Sequence, residues 1–186
     1  LRMGSGGAGS GGLPGGPPRA SSLRPRPARC PPPAAKNNRE THNRLGRELT
    51  PSTRYTPGAR HRRRILFQLA DDLPKRSVLD VGCGNGELLR LMRARYPEIQ
   101  RATGADLSDA VVEQNRRAFP EFAFEVLDIE REALPQQAEL VTCAEVIEHL
   151  DTRETAFAHL AAMVAPGGAL LVTCPTGKVF PTEKHF

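Results

Sequence analysis

A glycine-rich turn between an apolar run and an amphipathic stretch is the feature that most constrains how this chain folds. Residues 77–81 are mostly apolar, and glycines follow at alternate positions, Gly82, Gly84 and Gly86. The apolar spacing then becomes helical over residues 87–95, which predicts a strand, a turn and a helix. Glycine adopts the backbone angles of such a turn and lets a ligand approach closely. The free N–H groups of the helix face whatever lies over the turn.

Acidic residues mark this strand and the ends of the next two apolar runs. Asp80 lies in the first run, Asp106 follows Gly86 by twenty residues, and Asp128 ends the third run. The glycine spacing is G-x-G-x-G, whereas dinucleotide-binding proteins use G-x-G-x-x-G. An acid at the tip of the second strand can accept both ribose hydroxyls, and open α/β sheets bind ligands at this edge. We therefore expect a nucleoside-type ligand there; the alternative is three solvated strand ends.

Strand and helix patterns alternate along the rest of the chain, which favours a parallel sheet with helices on both faces. Ser108 is the predicted N-cap of one helix, and Pro166-Gly167-Gly168 predicts a stop and turn before the last strand. The predicted strands are 77–82, 100–106, 122–127, 138–144 and 168–174, and the predicted helices between them are 86–95, 108–118 and 152–165.

An additional helix is predicted before the first strand, from Arg60 to Leu73, and Pro74 ends it. We expect it to pack on the sheet or to fold partly over the ligand. Its apolar residues at helical spacing are Ile65, Leu66, Leu69 and Leu73.

At this point the chain resembles the class I S-adenosylmethionine-dependent methyltransferases. The resemblance covers roughly residues 60–186 and implies a doubly wound, mostly parallel sheet, the Rossmann-like methyltransferase fold. The family's sheet has seven strands and five are predicted here, so we expect a chain truncated after the fifth strand. The matching segments are VLDVGCGNG at 78–86, GADLS at 104–108, LDIE at 127–130, CAEVIEHL at 143–150 and VAPGGALLVTCP at 164–175.

The same resemblance implies where S-adenosylmethionine binds. Asp80 orients the glycine turn and the amino group of the cofactor. Asp106 holds the ribose hydroxyls, and Asp128 with the backbone of Ile129 binds the adenine amine. The complete set of cofactor-binding residues implied in this way is Asp80, Gly82, Cys83, Gly84, Gly86, Asp106, Leu107, Asp128, Ile129 and Glu145.

The segment after the fourth predicted strand reads Glu145-Val146-Ile147-Glu148-His149. If it is helical, Glu145, Glu148 and His149 share a face. They could then bind Mg²⁺ or another divalent ion, or His149 could act as a catalytic base, or the pair could only shape the loop. We expect no strict metal requirement, because the chain shows three candidate ligands and no clear fourth.

Two families offer precedents for a metal by resemblance, since E-x-x-E-H also occurs in small-RNA 3′-terminal 2′-O-methyltransferases and in ubiquinone-pathway O-methyltransferases. The chain has Pro175-Thr176 where the RNA enzymes typically have Pro-Asn. That departure weighs against the RNA assignment.

The N-terminal segment differs in composition and charge from the rest of the chain. Residues 1–64 contain 14 Lys and Arg against 2 Asp and Glu, whereas residues 65–186 contain 12 against 19. We therefore divide the chain into a disordered, basic, Gly/Pro/Arg-rich tail at 1–57 and a methyltransferase domain at 58–186. The tail is either a basic arm for RNA or anionic membrane or a non-native leader.

The cysteines and the hydropathy pattern bear on location. Cys83, Cys143 and Cys174 each end a predicted strand, and they either bind a soft metal or serve as small buried apolar residues. No run of 18 apolar residues indicates a transmembrane helix, and disulfides are not expected. We expect a cytoplasmic protein.

The function expected from these features is S-adenosylmethionine-dependent methyl transfer to a small-molecule or lipid-like acceptor, at oxygen. Oxygen is favoured because carboxylates and His149 near the acceptor suit deprotonation of a hydroxyl. One alternative is an RNA ribose 2′-O-methyltransferase with a metal at the E-x-x-E-H site and nucleic acid bound through the basic tail. A second alternative is a cofactor-binding fragment without catalysis.

Overall fold

The computed structural model describes Asn43 and residues 57–175, and the latter form a five-stranded sheet with helices. The observed elements are α1 (Pro57–Ala70), β1 (Ser77–Val81), α2 (Glu87–Arg95), β2 (Arg101–Asp106), α3 (Asp109–Ala118), β3 (Ala123–Val126), β4 (Ala138–Ala144), a 3₁₀ turn (Ile147–His149), α4 (Arg153–Ala162) and β5 (Val164–Thr173).

All neighbouring strands are parallel, in the order β3-β2-β1-β4-β5. The chain builds the sheet outward from β1 in one direction and then returns to β4 on the other side of β1. The strand order therefore reverses between β1 and β4, the position at which open α/β sheets bind ligands beyond their carboxyl ends. The predicted doubly wound, mostly parallel Rossmann-like sheet is confirmed.

Two hydrophobic clusters cover the two faces of the sheet. Alternate residues of a strand point to opposite faces, so Val78 belongs to one cluster and Leu79 to the other. Leu89 and Met92 of α2 join the first cluster, and Leu160 of α4 joins the second. Each such buried side chain stabilises the fold by about 1.5–3 kcal/mol, so β1, buried along its whole length, anchors both layers.

Helix α1 differs from its prediction in which side chains it buries. Leu66 is 2% exposed, as expected, but Ile65 and Leu69 are 40% and 55% exposed. The buried face passes instead through Leu66 and Ala70, which are four residues apart and therefore lie on one side of a helix. The helix also ends at Ala70, before the predicted end at residue 73.

The boundary between α4 and β5 also differs from the prediction. The helix ends at Ala162 rather than at residue 165, and β5 already begins at Val164. Pro166 and Gly167 lie inside the strand, at a register shift between β4 and β5. Gly167 has φ 75°, so the predicted turn chemistry here produces an irregularity within the strand.

Within residues 57–175, none of the helices combines the length and the apolar character that crossing a membrane requires.

Candidate functional site

A cavity of about 270 Å³ opens at the carboxyl ends of β1, β4 and β5. It lies where the strand order reverses, and the glycine turn forms one wall while α1 forms another. The described residues that line it are Arg62, Arg63, Leu66, Asp80, Gly82, Cys83, Gly84, Asn85, Glu87, Leu88, Ala144, Glu145 and Thr173.

The glycine turn has a backbone that only glycine adopts without strain. Gly82, Gly84 and Gly86 have φ angles of 75°, 49° and 70°, all in the left-handed region. A Cβ on Gly82 would overlap the Cγ2 methyl of Val146, whereas a Cβ on Gly84 would meet no described atom within 4 Å. Gly82 is therefore needed for close packing, and Gly84 leaves open space beside the cavity.

Two remote residues hold the peptide groups of Gly84. The Oδ2 atom of Asp106, from β2, accepts a hydrogen bond of 3.0 Å from the Gly84 N–H. The Asn115 amide, from α3, donates one of 2.6 Å to the Gly84 carbonyl oxygen. Asn115 is 2% exposed, so this amide would be costly to bury without a partner. Two neighbouring elements, β2 and α3, therefore fix the turn.

Asp106 also organises the start of α3. Its Oδ1 atom accepts from the Ser108 N–H at 2.9 Å, and the Ser108 side chain accepts from the Val111 N–H, as an N-cap does. The predicted N-cap is confirmed. The Ser108 hydroxyl also donates to the side-chain oxygen of Asn43 at 2.6 Å.

Asp80 lies at the floor of the cavity and is 2% exposed. The Thr142 hydroxyl donates to its Oδ1 atom at 2.7 Å, because Asp80 and Thr142 are register partners on β1 and β4. Burial raises the pKa of Asp80 to about 7, the bond from Thr142 acts in the opposite direction, and the charge of Asp106 adds to the rise. The carboxylate therefore titrates near neutral pH and favours a cationic ligand group.

Two of the three predicted strand-end thiols are buried beside Asp80. Burial raises the pKa of Cys83 well above its ordinary value and that of Cys143 to about 12, so both remain neutral thiols. Cys174 is exposed, and all three are free. Among residues 57–175, no cluster of His, Cys, Asp or Glu side chains is arranged to hold a metal ion.

The predicted adenine-side residues lie beyond β3 and do not line the cavity. Asp128 accepts from the Glu130 N–H at 3.2 Å and pairs with Arg131. The Ile129 carbonyl oxygen is 2.7 Å from the ring Nδ1 of His159, and the Ile129 side chain is buried in the core. The contact between Ile129 and His159 thus anchors the loop after β3 to α4. Leu107 is half-buried between Asp106 and the N-cap of α3.

The E-x-x-E-H segment does not form the helix on which a shared face depended. Glu145 has φ 59°, a strained value for a residue other than glycine. Its carboxylate accepts from the Thr173 hydroxyl at 3.0 Å and lies 3.4 Å from the Arg62 guanidinium. Glu148 and His149 pair with each other at 3.8 Å. Glu145 thus borders the cavity, whereas Glu148 and His149 are not among its lining residues.

A family model described as a methyltransferase domain matches residues 53–183 of the chain. The chain belongs to this methyltransferase family. The resemblance identified in the sequence is therefore confirmed, and the cavity lies in a methyltransferase domain.

Curated relatives of this methyltransferase domain include two proteins named trans-aconitate 2-methyltransferase. The one from Klebsiella pneumoniae strain 342 is 37% identical over 98 residues, 53% of this chain and 38% of that protein. The one from Escherichia fergusonii is 32% identical over 139 residues, 73% of this chain and 54% of that protein. The chain thus spans about half the length, or less, of these relatives.

Solved structures share the fold. The N-methyltransferase NodS from Bradyrhizobium japonicum, in complex with S-adenosyl-L-homocysteine, has a TM-score of 0.54 at 22% identity, covering 63% of this chain and 62% of that one. The amino pentose methyltransferase CalS10 from Micromonospora echinaspora has a TM-score of 0.51 at 24% identity, covering 78% and 58%. These likenesses establish the methyltransferase fold.

Sequence reasoning missed two polar residues of the methyltransferase domain that act from neighbouring elements. Asn115 shares the buried helix face of Val111 and Val112, and an amide on an apolar face was the signal that could have revealed it. Thr142 interrupts an apolar strand by one hydroxyl, which is a weak signal. Arg62 and Arg63 line the cavity because α1 folds over it, one of the two arrangements expected for that helix.

Proposed function

We propose that this domain transfers the methyl group of S-adenosylmethionine to an acceptor. The observation that carries the proposal is the cavity at the strand-order reversal. Its floor is the Asp80 carboxylate, and its wall is a glycine turn held open at Gly84. When bound, the cofactor supplies a methyl group already activated on a positively charged sulfur.

The residues present fit this cofactor. Asp80 is placed to face the ammonium group of the methionine part, and Gly84 lets that part approach the backbone. Asp106, held by two backbone N–H groups, would accept the ribose hydroxyls. The Asp128–Ile129 loop, which lies outside the described cavity, would contact the adenine. Arg62 and Arg63 of α1 supply positive charge at the cavity wall, which suits the methionine carboxylate.

In this proposal, catalysis depends on how the methyl donor and the acceptor are positioned relative to each other. Transfer is an in-line displacement, and holding donor and acceptor in line supplies a large part of the rate. The close packing of Val146 against Gly82 ties the segment after β4 to the donor side. Contacts with Arg62 and Thr173 hold Glu145 at its strained backbone angle.

The acceptor that we propose is a small or lipid-like molecule, methylated at oxygen. Its support is the pair of relatives whose names refer to trans-aconitate, together with the carboxylates and His149 after β4. His149 is half-buried beside Glu148. We propose the cytoplasm as its location, since three free thiols suit a reducing compartment.

Calorimetric titration with S-adenosyl-L-homocysteine tests cofactor binding directly. We expect Gly84→Val to abolish binding, because the new side chain fills the open space at the turn. Asp106→Ala should lower affinity at least tenfold, since hydrogen bonds to charged groups contribute about 1.5–3 kcal/mol each. Gly167→Val is the matched control, because Gly167 also has a positive φ and free space but lies far along β5 from the turn.

Unchanged affinity in both site variants would contradict the methyltransferase proposal. If the parent protein binds the cofactor, a labelled-methyl transfer screen against pools of small molecules and RNA then identifies the acceptor class. Labelling of RNA alone would replace the small-molecule proposal with the RNA alternative, and binding without any transfer would favour the non-catalytic one.

A further inference from the structure

Thr142 is a buried hydroxyl that the proposed chemistry does not yet use. It lies on β4 with no solvent exposure, directly beside Asp80 in the strand register. Its Oγ1 atom is 2.7 Å from Asp80 Oδ1 and 3.5 Å from the Leu79 carbonyl oxygen. The shorter contact has the geometry of a good O–H···O⁻ bond, so the hydroxyl donates to the carboxylate.

We infer that Thr142 is a positioning residue that keeps the Asp80 carboxylate charged and oriented toward the ammonium group of the cofactor. The inference rests on the proposed function. Asp80 is buried at the cavity floor, where an ionised carboxylate is costly unless donors stabilise it. A hydroxyl from β4 is the donor that the sheet supplies, and it costs little conformational entropy because a buried threonine is stiff at χ1.

The surroundings of Asp80 explain why one hydrogen bond matters. The acid Asp106 approaches from β2, and the neutral thiols Cys83 and Cys143 approach from the glycine turn and from β4. All three lack positive charge. The charged residues that line the same cavity from other elements are Arg62, Arg63, Glu87 and Glu145.

Burial raises the pKa of Asp80 to about 7, and the Thr142 bond opposes that rise, so the bond increases the fraction of carboxylate at neutral pH. Thr142→Val removes the hydroxyl at nearly constant volume. We expect the pKa of Asp80 to rise further, so that the neutral acid predominates at pH 7. The ammonium group then loses its partner, while the adenosine part of the ligand is unaffected.

The experiment compares two ligands over pH 6–9 by calorimetry. S-adenosyl-L-homocysteine carries the ammonium group, and methylthioadenosine lacks it. For Thr142→Val we expect about tenfold weaker binding of S-adenosyl-L-homocysteine at pH 7, a deficit that shrinks toward pH 9, and unchanged binding of methylthioadenosine. The ligand's own amine loses its charge toward the alkaline end of this range, and the ratio of variant to parent affinity at each pH cancels that contribution.

Three variants separate positioning from a structural role. Thr142→Ser should restore the parent pH profile because it restores the hydroxyl. Thr142→Ala lacks the hydroxyl in a smaller side chain and should repeat the ligand-selective loss. Thr103→Val, a buried threonine on β2, makes the same substitution without a hydrogen bond to Asp80 and should change neither ligand.

Equal weakening of both ligands by Thr142→Val, or no weakening of either, would overturn the inference. So would a serine variant that behaves like valine. A parent protein that binds neither ligand would overturn the proposed function itself, which is a different outcome from a parent that binds both with no dependence on Thr142.

Discussion

The turn after β1 and the segment after β4 both border the same cavity, yet they differ in how their polar groups are held. At the first turn, Gly84 is fixed by Asp106 and Asn115 from two other elements. After β4, the Glu145 carboxylate is engaged by Arg62 and Thr173. The glycine motif predicted the backbone of the first turn, whereas the partners of the Glu145 side chain come from elements that are distant in the sequence.

The close contact between these two regions gives the prediction with the largest expected effect on stability. A Cβ at Gly82 would overlap Val146, so Gly82→Ala must displace the segment after β4. Positive φ costs about 1–2 kcal/mol for alanine, and overpacking adds about 1–3 kcal/mol. Thermal and urea denaturation should therefore show a loss of several kcal/mol, accompanied by loss of S-adenosyl-L-homocysteine binding.

Gly167→Ala is the matched control for this prediction. Gly167 has the same φ of 75°, but an added Cβ meets no described atom within 4 Å. It should show only the smaller backbone cost. Equal destabilisation by the two substitutions would mean that Gly82 and Val146 do not pack as described.

The buried acid of the first region makes stability depend on pH. The pKa of Asp80 rises from 3.8 to about 7 on folding, so between these values the folded state binds the proton more tightly. Stability therefore falls as pH rises from about 4 to 7. Asp80→Asn removes that cost, and we expect it to be more stable than the parent at pH 8 by at least about 1 kcal/mol while binding the cofactor less well.

Urea denaturation at pH 5 and pH 8 measures this difference. Asp72→Asn, at an exposed acid outside the cavity, should match the parent at both values. A stability advantage for Asp80→Asn that is no larger at pH 8 than at pH 5 would show that Asp80 is not a buried titrating group.

A hydrogen bond from the N-terminal segment supports the turn after β1, and we expect its contribution to the free energy of unfolding to be smaller. Asn43 accepts a hydrogen bond from Ser108, the N-cap beside Asp106. Apart from Asn43 and Pro57, the predicted tail lies outside the described residues. We expect deletion of residues 1–40 to leave the melting temperature unchanged. Deletion of residues 1–55, or Asn43→Ala alone, should cost about 0.5–1.5 kcal/mol. A loss of several degrees on deleting residues 1–40 would show that the segment packs on the domain.

The smallest expected effect concerns metal at the second region. Both carboxylate oxygens of Glu145 have partners on α1 or β5. In calorimetric titration with Mg²⁺ or Mn²⁺, we therefore expect no saturable binding that depends on Glu145, so the parent protein and Glu145→Gln should give the same heats. Chelator should likewise leave methyl transfer unchanged. The opposite result would support the three-ligand metal site. In that case the parent protein would bind the ion saturably, Mn²⁺ would restore methyl transfer after chelation, and binding would be lost in each of three variants, Glu145→Gln, Glu148→Gln and His149→Ala.

The sequence by itself determined the succession of strands and helices along the chain, the glycine turn and the N-cap at Ser108. These features depend on local periodicity and on backbone angles that few residues adopt, so neighbouring residues suffice to define them. The apolar run at residues 77–81 likewise predicted strand β1, which the structure buries along its whole length.

Only the tertiary structure decided which partners the polar side chains meet. Asn115 lies 31 residues from Gly84, and Thr142 lies 62 residues from Asp80. Such contacts arise from helix placement and strand register, neither of which leaves a pattern in neighbouring residues. The position of Glu145 at a positive φ, and the exposure of Ile65 and Leu69 on α1, follow from the same cause, because burial and backbone strain depend on what the assembled sheet places alongside each residue.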